Sequence, residues 1–413
     1  MGNSPSQVDL RALQHTYRQI RHDTVQICEP LAREDYVVQP IPEVSPPKWH
    51  LGHTTWFFEE MILKKYVTDY KPFDRLYPLL FNSYYKSAGK HWLQGKRGCL
   101  SRPSVSEIYA YRKYVDEAMA DFCASPFATE EAAITWEIGL HHEQQHQELL
   151  WMDIKFILFQ NPSLPKHVSL PLLPCVSAEI AWQDFEEGVY EVGCGGDGFA
   201  YDNESPRHKT YLYPFALCCS LVSNGDYLRF MEAGGYQNPE YWLSQGWDWI
   251  QEQQVLAPLY WFRDSKGVWR EYTLHGDHAL DFHAPVAHIS YHEAYAFAQW
   301  CGMRLPTEYE IEVFLSQRFS ESLPSLPKRL HPSQDAAMGQ LWCWTSSSYG
   351  PYPRQKKYSG ALSEYNAKFM CNQFVLRGGS FATPPGHYRP SYRNFFDPQQ
   401  RWMFSGLRLA KDI

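Results

Sequence analysis

The 413-residue chain has no run of 18 or more uncharged apolar residues, which a membrane-crossing helix would need, and its mean hydropathy is −0.47. It also lacks a basic block interleaved with aromatics. Its 38 Lys and Arg stand against 46 Asp and Glu, a net charge of −8, which argues against a nucleic-acid partner. None of the ten cysteines forms a CxxC pair, and a chain this long needs no disulfide staples, so mostly buried thiols are expected. Repeats and low-complexity tracts are absent. The N-terminal Met-Gly-Asn-Ser-Pro-Ser leads into a polar helix rather than an apolar signal segment, and bears only a faint likeness to a myristoylation start. Together these absences give the expectation of a soluble cytoplasmic protein with no membrane partner. What is abundant is aromatic: 16% of residues, with 15 Trp and 28 Tyr, which suits a loop-rich domain or a ring-lined pocket for a small molecule such as a cation.

Length alone suggests two to three domains. In the first 160 or so residues, Leu10, Leu13, Tyr17, Ile20, Thr24 and Ile27 recur at helical spacing. A second helix is expected from Trp49 to Tyr66. A third starts behind Pro103 with a Ser104–Glu107 capping box and runs to Cys123. A fourth runs from Glu130 to Phe159, with Ile134, Ile138, Leu149, Met152 and Phe156 on one side. Four helices with one long connection suggest an antiparallel bundle. Pro162, Pro165, Pro171 and Pro174 then mark a linker, after which Gly, Pro, Trp and Tyr become frequent and only one clear helix remains, Tyr291 to Cys301.

The sharpest chemical signal is His141-His-Glu-Gln-Gln-His146 in the fourth helix. His142 and His146 are four residues apart and share a face. Two imidazoles aimed into a bundle are costly unless their nitrogens are satisfied, by carbonyls or by a metal. The second helix offers His50 and His53, of which at least one can face the interior. Three histidines from two helices suit non-haem iron with open positions, although the usual version has one carboxylate, and they suit catalytic zinc equally. Glu148, two residues past His146, points elsewhere on the helix. The same segment spells HExxH from His142 to His146, in which Glu143 would be the general base of a zinc hydrolase.

The pairing of Trp49-His-Leu-Gly-His53 with His142-x3-His146-x-Glu148 resembles the DinB-type domain of sulfoxide synthases, the iron enzymes of ergothioneine and ovothiol biosynthesis. Tyr201-Asp-Asn-Glu204, Pro285 to Ser290, Met303 to Glu308, Trp342-Cys-Trp-Thr345 and Arg377-Gly-Gly-Ser-Phe381 are similar to their second domain, which has a formylglycine-generating-enzyme-like fold. The resemblance implies a multidomain α and α+β protein. A DinB-like four-helix bundle (residues 1–165) would be followed by a Pro-rich linker (166–182) and a formylglycine-generating-enzyme/C-type-lectin-like α+β domain (183–413).

The activity it implies is iron(II)- and O2-dependent coupling of a thiol, cysteine or γ-glutamylcysteine, to imidazole C2 of hercynine, giving a sulfoxide. Carried over by motif, the iron ligands are His53, His142 and His146, and Gln145 hydrogen-bonds the substrate imidazole. Within Tyr392-Arg-Asn-Phe-Phe396, Asn394, Phe395 and Phe396 meet the trimethylammonium group and carboxylate of hercynine, as ring faces attract a quaternary ammonium. The proton-donating tyrosine falls on Tyr85, then Tyr84. The cysteines that formylglycine-generating enzymes use are missing after Arg377-Gly-Gly-Ser380, so that chemistry is not expected. Phe396 stands where γ-glutamylcysteine enzymes carry an acid, which favours free cysteine, whose carboxylate would meet Arg97, Arg102 or Arg401. The chain ends at Ile413 without the methyltransferase of the ovothiol branch, favouring an ergothioneine role. An ovothiol-type or selenium-transfer homologue, the zinc hydrolase and a non-catalytic metal-binding protein stay open.

Overall fold

The computed structural model describes residues 10–83, 85, 89–196, 198–319, 329–334, 338–356 and 365–413. The chain divides into two compact units, Met1–Asn161 and Pro162–Ile413. Among the described residues, no helix is long and apolar enough to cross a membrane.

Four long helices build the first unit: α1 (Leu10–Cys28), α2 (Pro47–Phe58), α3 (Val105–Cys123) and α4 (Glu130–Phe159). Each of the three whose start the sequence marks has a local reason to begin where it does. Pro47 opens α2 at the position where a missing N–H costs nothing. The Ser104 hydroxyl accepts from Glu107 N at 3.3 Å while Glu107 returns a bond to Ser104 N at 2.7 Å. Thr129 accepts from Ala132 N at the head of α4. All twelve residues of α2 are buried, as befits a helix packed against both α3 and α4. It continues into a π-helical turn, Glu59–Leu63, whose buried Glu59 carboxylate accepts from Tyr111 OH (2.7 Å), Tyr70 OH (3.0 Å) and Phe73 N (2.9 Å).

The apolar side expected for α4 needs correcting. Ile134 is 50% exposed, and Ile138, Leu149 and Phe156 are only half-buried. Burial concentrates instead on Trp136, Leu140, Leu150, Ile154 and Ile157, together with Glu143 and Gln147. The polar residues are buried because they bond across the bundle. Glu143 accepts from Arg21 (3.0 Å), Arg112 (2.9 Å) and the Thr24 hydroxyl (2.8 Å), and Gln147 donates to Ile20 O.

The second unit is α+β. Strands β1 (Trp182–Phe185), β4 (Phe215–Cys218) and β12 (Ala410–Asp412) form one sheet in the order β1-β4-β12. Strands β8 (Trp342–Ser348), β9 (Phe374–Arg377), β10 (Asn394–Phe396) and β11 (Ser405–Gly406) form another in the order β10-β9-β8-β11. A β2–β3 ribbon (Gly188–Val192, His208–Leu212) and a β5-β6-β7 meander (Trp261–Arg263, Trp269–Thr273, Gly276–Ala279) complete the strands. Besides the expected helix α7 (Tyr291–Trp300), three helices stand where the sequence suggested irregular chain: α5 (Asn224–Glu232), α6 (Ser244–Glu252) and α8 (Glu308–Arg318).

The Arg377-Gly-Gly-Ser380 motif is structural. Gly379 has φ +73°, and a Cβ there would lie 2.5 Å from the Tyr388 ring, so only glycine fits. The fully buried Arg377 pairs with Glu308 and Glu312, and Glu308 also takes two bonds from the equally buried Arg393, at 2.8 and 3.0 Å. The proline-rich stretch read as a linker is itself bonded to this unit: His167 N and Val168 N both donate to Leu274 O, and Tyr272 OH donates to Pro165 O. The ten cysteines are free, but fewer are buried than expected. Cys28, Cys175, Cys218 and Cys343 are buried, whereas Cys99 and Cys371 are exposed.

Candidate metal centre

His53 of α2 and His142 and His146 of α4 each present a nitrogen within 4.8 Å of the others. Among the described residues this is the one group of three or more His, Cys, Asp or Glu side chains whose donor atoms converge so closely. His53 Nε2 faces His142 Nε2 at 3.1 Å. Two nitrogens bound cis to one ion at about 2.1 Å lie about 3.0 Å apart, so this spacing suits a shared first-row metal. The remaining ring nitrogens fix which atom is turned inward. His53 Nδ1–H donates to Phe81 O at 2.6 Å. His146 Nδ1 lies 2.9 Å from His50 Nδ1, which leaves His146 Nε2 for the centre.

The rings are held in a stack. Trp49 lies on one side of His53 at 4.5 Å and 13°, and Trp56 also stacks with it at 5.5 Å and 13°. Phe57 covers His142 at 4.7 Å. Arg97 sits over Trp49 with its guanidinium carbon 3.3 Å from the ring centroid, and donates to Ser45 Oγ at 2.8 Å. Burial pushes the His142 imidazole down to about 3, and burial reinforced by the neighbouring histidines holds His53 and His146 well below the ordinary histidine value. All three are therefore neutral at pH 7, the form that binds metal.

The other expected site residues are distributed as follows. Tyr85 is buried, its ring 5.5 Å from Trp56 and 6.4 Å from Phe57, the two rings that back His53 and His142. Tyr84 lies outside the described residues. Gln145 is half-buried on α4 beside His146. In the second unit, Phe395 of β10 stacks on Tyr349 at 4.1 Å and lies 5.8 Å from Phe369, with Asn394 and Phe396 flanking it half-buried. Arg401 donates to Ala257 O at 3.0 Å and approaches Glu293 Oε1 at 3.3 Å, so part of its charge is already answered.

The zinc-hydrolase reading is overturned at Glu143. One residue past His142 it turns about 100° around the helix, and its carboxylate binds Arg21, Arg112 and Thr24. Although burial pushes it up, the two guanidiniums hold the Glu143 carboxyl below the usual range, so it is no general base for a metal-held water. Sequence reasoning missed Asp153 entirely. Its Oδ2 accepts from Ser45 N at 2.8 Å and from His50 Nε2 at 2.9 Å. Its spacing of seven from His146 was a usable signal, since two turns return to the same face.

Two domain descriptions match the chain: the DinB superfamily over residues 16–150, and the sulfatase-modifying factor enzyme 1-like domain over 185–321 and 335–413. A hercynine oxygenase of Mycolicibacterium smegmatis is 30% identical, over 69% of this chain and 73% of its own. A hercynine oxygenase of Mycobacterium tuberculosis is 28% identical over 98% of this chain and 97% of its own. Ergothioneine biosynthesis protein 1 of Schizosaccharomyces pombe is 28% identical over 52% of this chain and 28% of its own. With a DinB-superfamily region ahead of a sulfatase-modifying-factor-like one, and a histidine triad in the first, the chain belongs to the hercynine oxygenase family.

Proposed function

We propose that this protein is an iron(II)-dependent sulfoxide synthase of ergothioneine biosynthesis, joining imidazole C2 of hercynine to the sulfur of cysteine. The observation that carries the reading is the buried, neutral three-histidine cluster in a chain that aligns almost end to end with a hercynine oxygenase. In the overall reaction the C2–H and S–H bonds break, the C–S and S=O bonds form, and the second oxygen atom of O2 leaves as water with both hydrogens. Iron(II), when bound by His53, His142 and His146, supplies one-electron chemistry towards O2.

The chain's own groups do the rest. Gln145 hydrogen-bonds the hercynine imidazole. Phe395 belongs with Tyr349 and Phe369 to a ring cluster suited to a trimethylammonium group, with Asn394 and Phe396 beside it. The buried Tyr85 phenol would be the proton donor for the oxygen chemistry that the metal supplies. For the thiol carboxylate, Arg97 is favoured over Arg102 and Arg401, because its guanidinium lies over Trp49, the ring that stacks on His53.

The deciding experiment is an aerobic mass-spectrometric assay on protein loaded with iron(II) under argon, given hercynine with either cysteine or γ-glutamylcysteine, beside a zinc-loaded control. A product heavier than hercynine by thiol plus one oxygen less two hydrogens, formed with iron alone, is expected with cysteine. Consumption of neither thiol would overturn the reading, and preference for γ-glutamylcysteine would overturn the donor. Tyr85→Phe is expected to divert turnover from the sulfoxide to thiol oxidation. An unchanged product ratio removes Tyr85 from its role.

A further inference from the structure

A three-histidine set brings no charge to a divalent ion, whereas the commoner two-histidine set includes a carboxylate. The structure shows where a carboxylate enters. Asp153, two turns beyond His146 on α4, accepts at Oδ2 from His50 Nε2 (2.9 Å), and His50 Nδ1 meets His146 Nδ1 (2.9 Å). Both side chains are buried, and Ser45 N pins the same carboxylate oxygen at 2.8 Å. Only one proton arrangement satisfies the chain of contacts when His146 Nε2 is a ligand. His146 Nδ1–H donates to His50 Nδ1, and His50 Nε2–H donates to Asp153. His53 is supported differently, through Nδ1–H to the neutral Phe81 carbonyl.

We infer that His50 and Asp153 are positioning residues for the metal: the Asp153–His50–His146 relay fixes the tautomer and ring angle of His146 and passes it carboxylate character at one remove. Metal-binding histidines are oriented by partners of this kind, whose loss costs about ten- to a hundredfold in affinity. In this relay, a second imidazole carries the effect between helices. The inference rests on the proposed metal role of the triad and not on which substrates are turned over.

The test uses cobalt(II) as the probe on the full chain, read by its visible d–d absorption and by competition with a chromophoric chelator. His50→Phe keeps the ring and removes both contacts. It is expected to weaken cobalt(II) binding about tenfold or more and to shift the bands. His50→Asn places an amide oxygen near the position of Nδ1, restoring an acceptor for His146 without reaching Asp153, and is expected to recover most of the affinity but not the wild-type band positions. Asp153→Asn, which keeps an acceptor and loses the charge, should shift the bands in the same direction as His50→Asn.

A folded His50→Phe with wild-type affinity and an unchanged spectrum would overturn the relay. A merely structural role would lower the unfolding temperature in all three variants without moving the bands of the protein that remains folded, and that outcome overturns it too. If the wild type binds cobalt(II) and the variants behave as expected while the iron-loaded enzyme makes no sulfoxide, the relay stands and the functional reading falls.

Discussion

Glu143 shows how much one position on a helix decides. It stands inside a pattern that spells a zinc protease, yet the turn of the helix carries its carboxylate to α1 and α3, where Arg21, Arg112 and Thr24 enclose it. The side chain is fully buried, as are its two cationic partners. Replacing it by Ala would leave two guanidiniums short of an anion in the bundle core, at a cost of about 3–5 kcal/mol. Urea denaturation at pH 7 measures that loss; a change below about 1 kcal/mol would mean that Arg21 and Arg112 find other partners without strain. Two histidines of the triad, His142 and His146, were legible because spacing alone puts them on one face. The Asp153 relay was not, because it runs through a ring on another helix, and no spacing within α4 announces that ring.

Elements explain why the residues hold their places. At Gly139 α4 packs tightly against α2: a Cβ there would lie 2.7 Å from the Phe58 ring and 2.9 Å from Phe57. Since Phe57 also covers His142, Gly139→Leu should push the helices apart, destabilising the unit by about 1–3 kcal/mol and weakening metal uptake. Denaturation and cobalt(II) titration on the same sample read both, and retained affinity would show that the two helices can part without disturbing the triad.

A second tight crossing lies in the other unit, where His292 of α7 packs against Gly246 of α6, with ring atoms 2.7–2.8 Å from where a Cβ would be. Neither nitrogen of His292 has a hydrogen-bond partner among the described residues, and burial pushes it down to about 4. Unfolded, it takes up a proton near 6.5. The unfolded chain therefore binds more protons between pH 6.5 and 4, and stability falls as pH drops through that window, by about 3 kcal/mol in all. His292→Phe should flatten this limb. A wild-type minus variant difference in unfolding free energy that is the same at pH 7 and pH 4 would refute the assignment.

Helix starts also show where sequence reasoning stopped short. Beside the Ser104–Glu107 box, the boxes Ser223–Asp226 and Thr307–Glu310 begin α5 and α8, which run nine and eleven residues, about the length of α7.

At the scale of the molecule, the order of the two modules was legible because their motifs are separate in sequence, and both domain matches follow that order. Strand pairing was not, since neighbours such as β4 and β12 lie at opposite ends of the second unit, and pairing of that kind leaves no local trace. Metal binding should be visible in whole-molecule stability. A ligand held only by the folded state at a hundred times its Kd adds about 2.7 kcal/mol, so iron(II) under argon should raise the unfolding temperature and a chelator should reverse the rise. No shift would mean that the triad does not grip the ion in the folded state.

The separation of the triad's histidines has one more consequence. His53 and His142 stand 89 residues apart, and the intervening chain includes the whole of α3. A metal cannot draw these side chains together early, because the loop must first be closed by the docking of α2 on α4, and closure across so long a stretch is slow compared with forming the helices themselves. Capture of a metal by the triad would thus follow the docking of α2 on α4. A metal held by all three histidines would act as a clasp across the bundle, so that its grip and the α2–α4 contact would support one another.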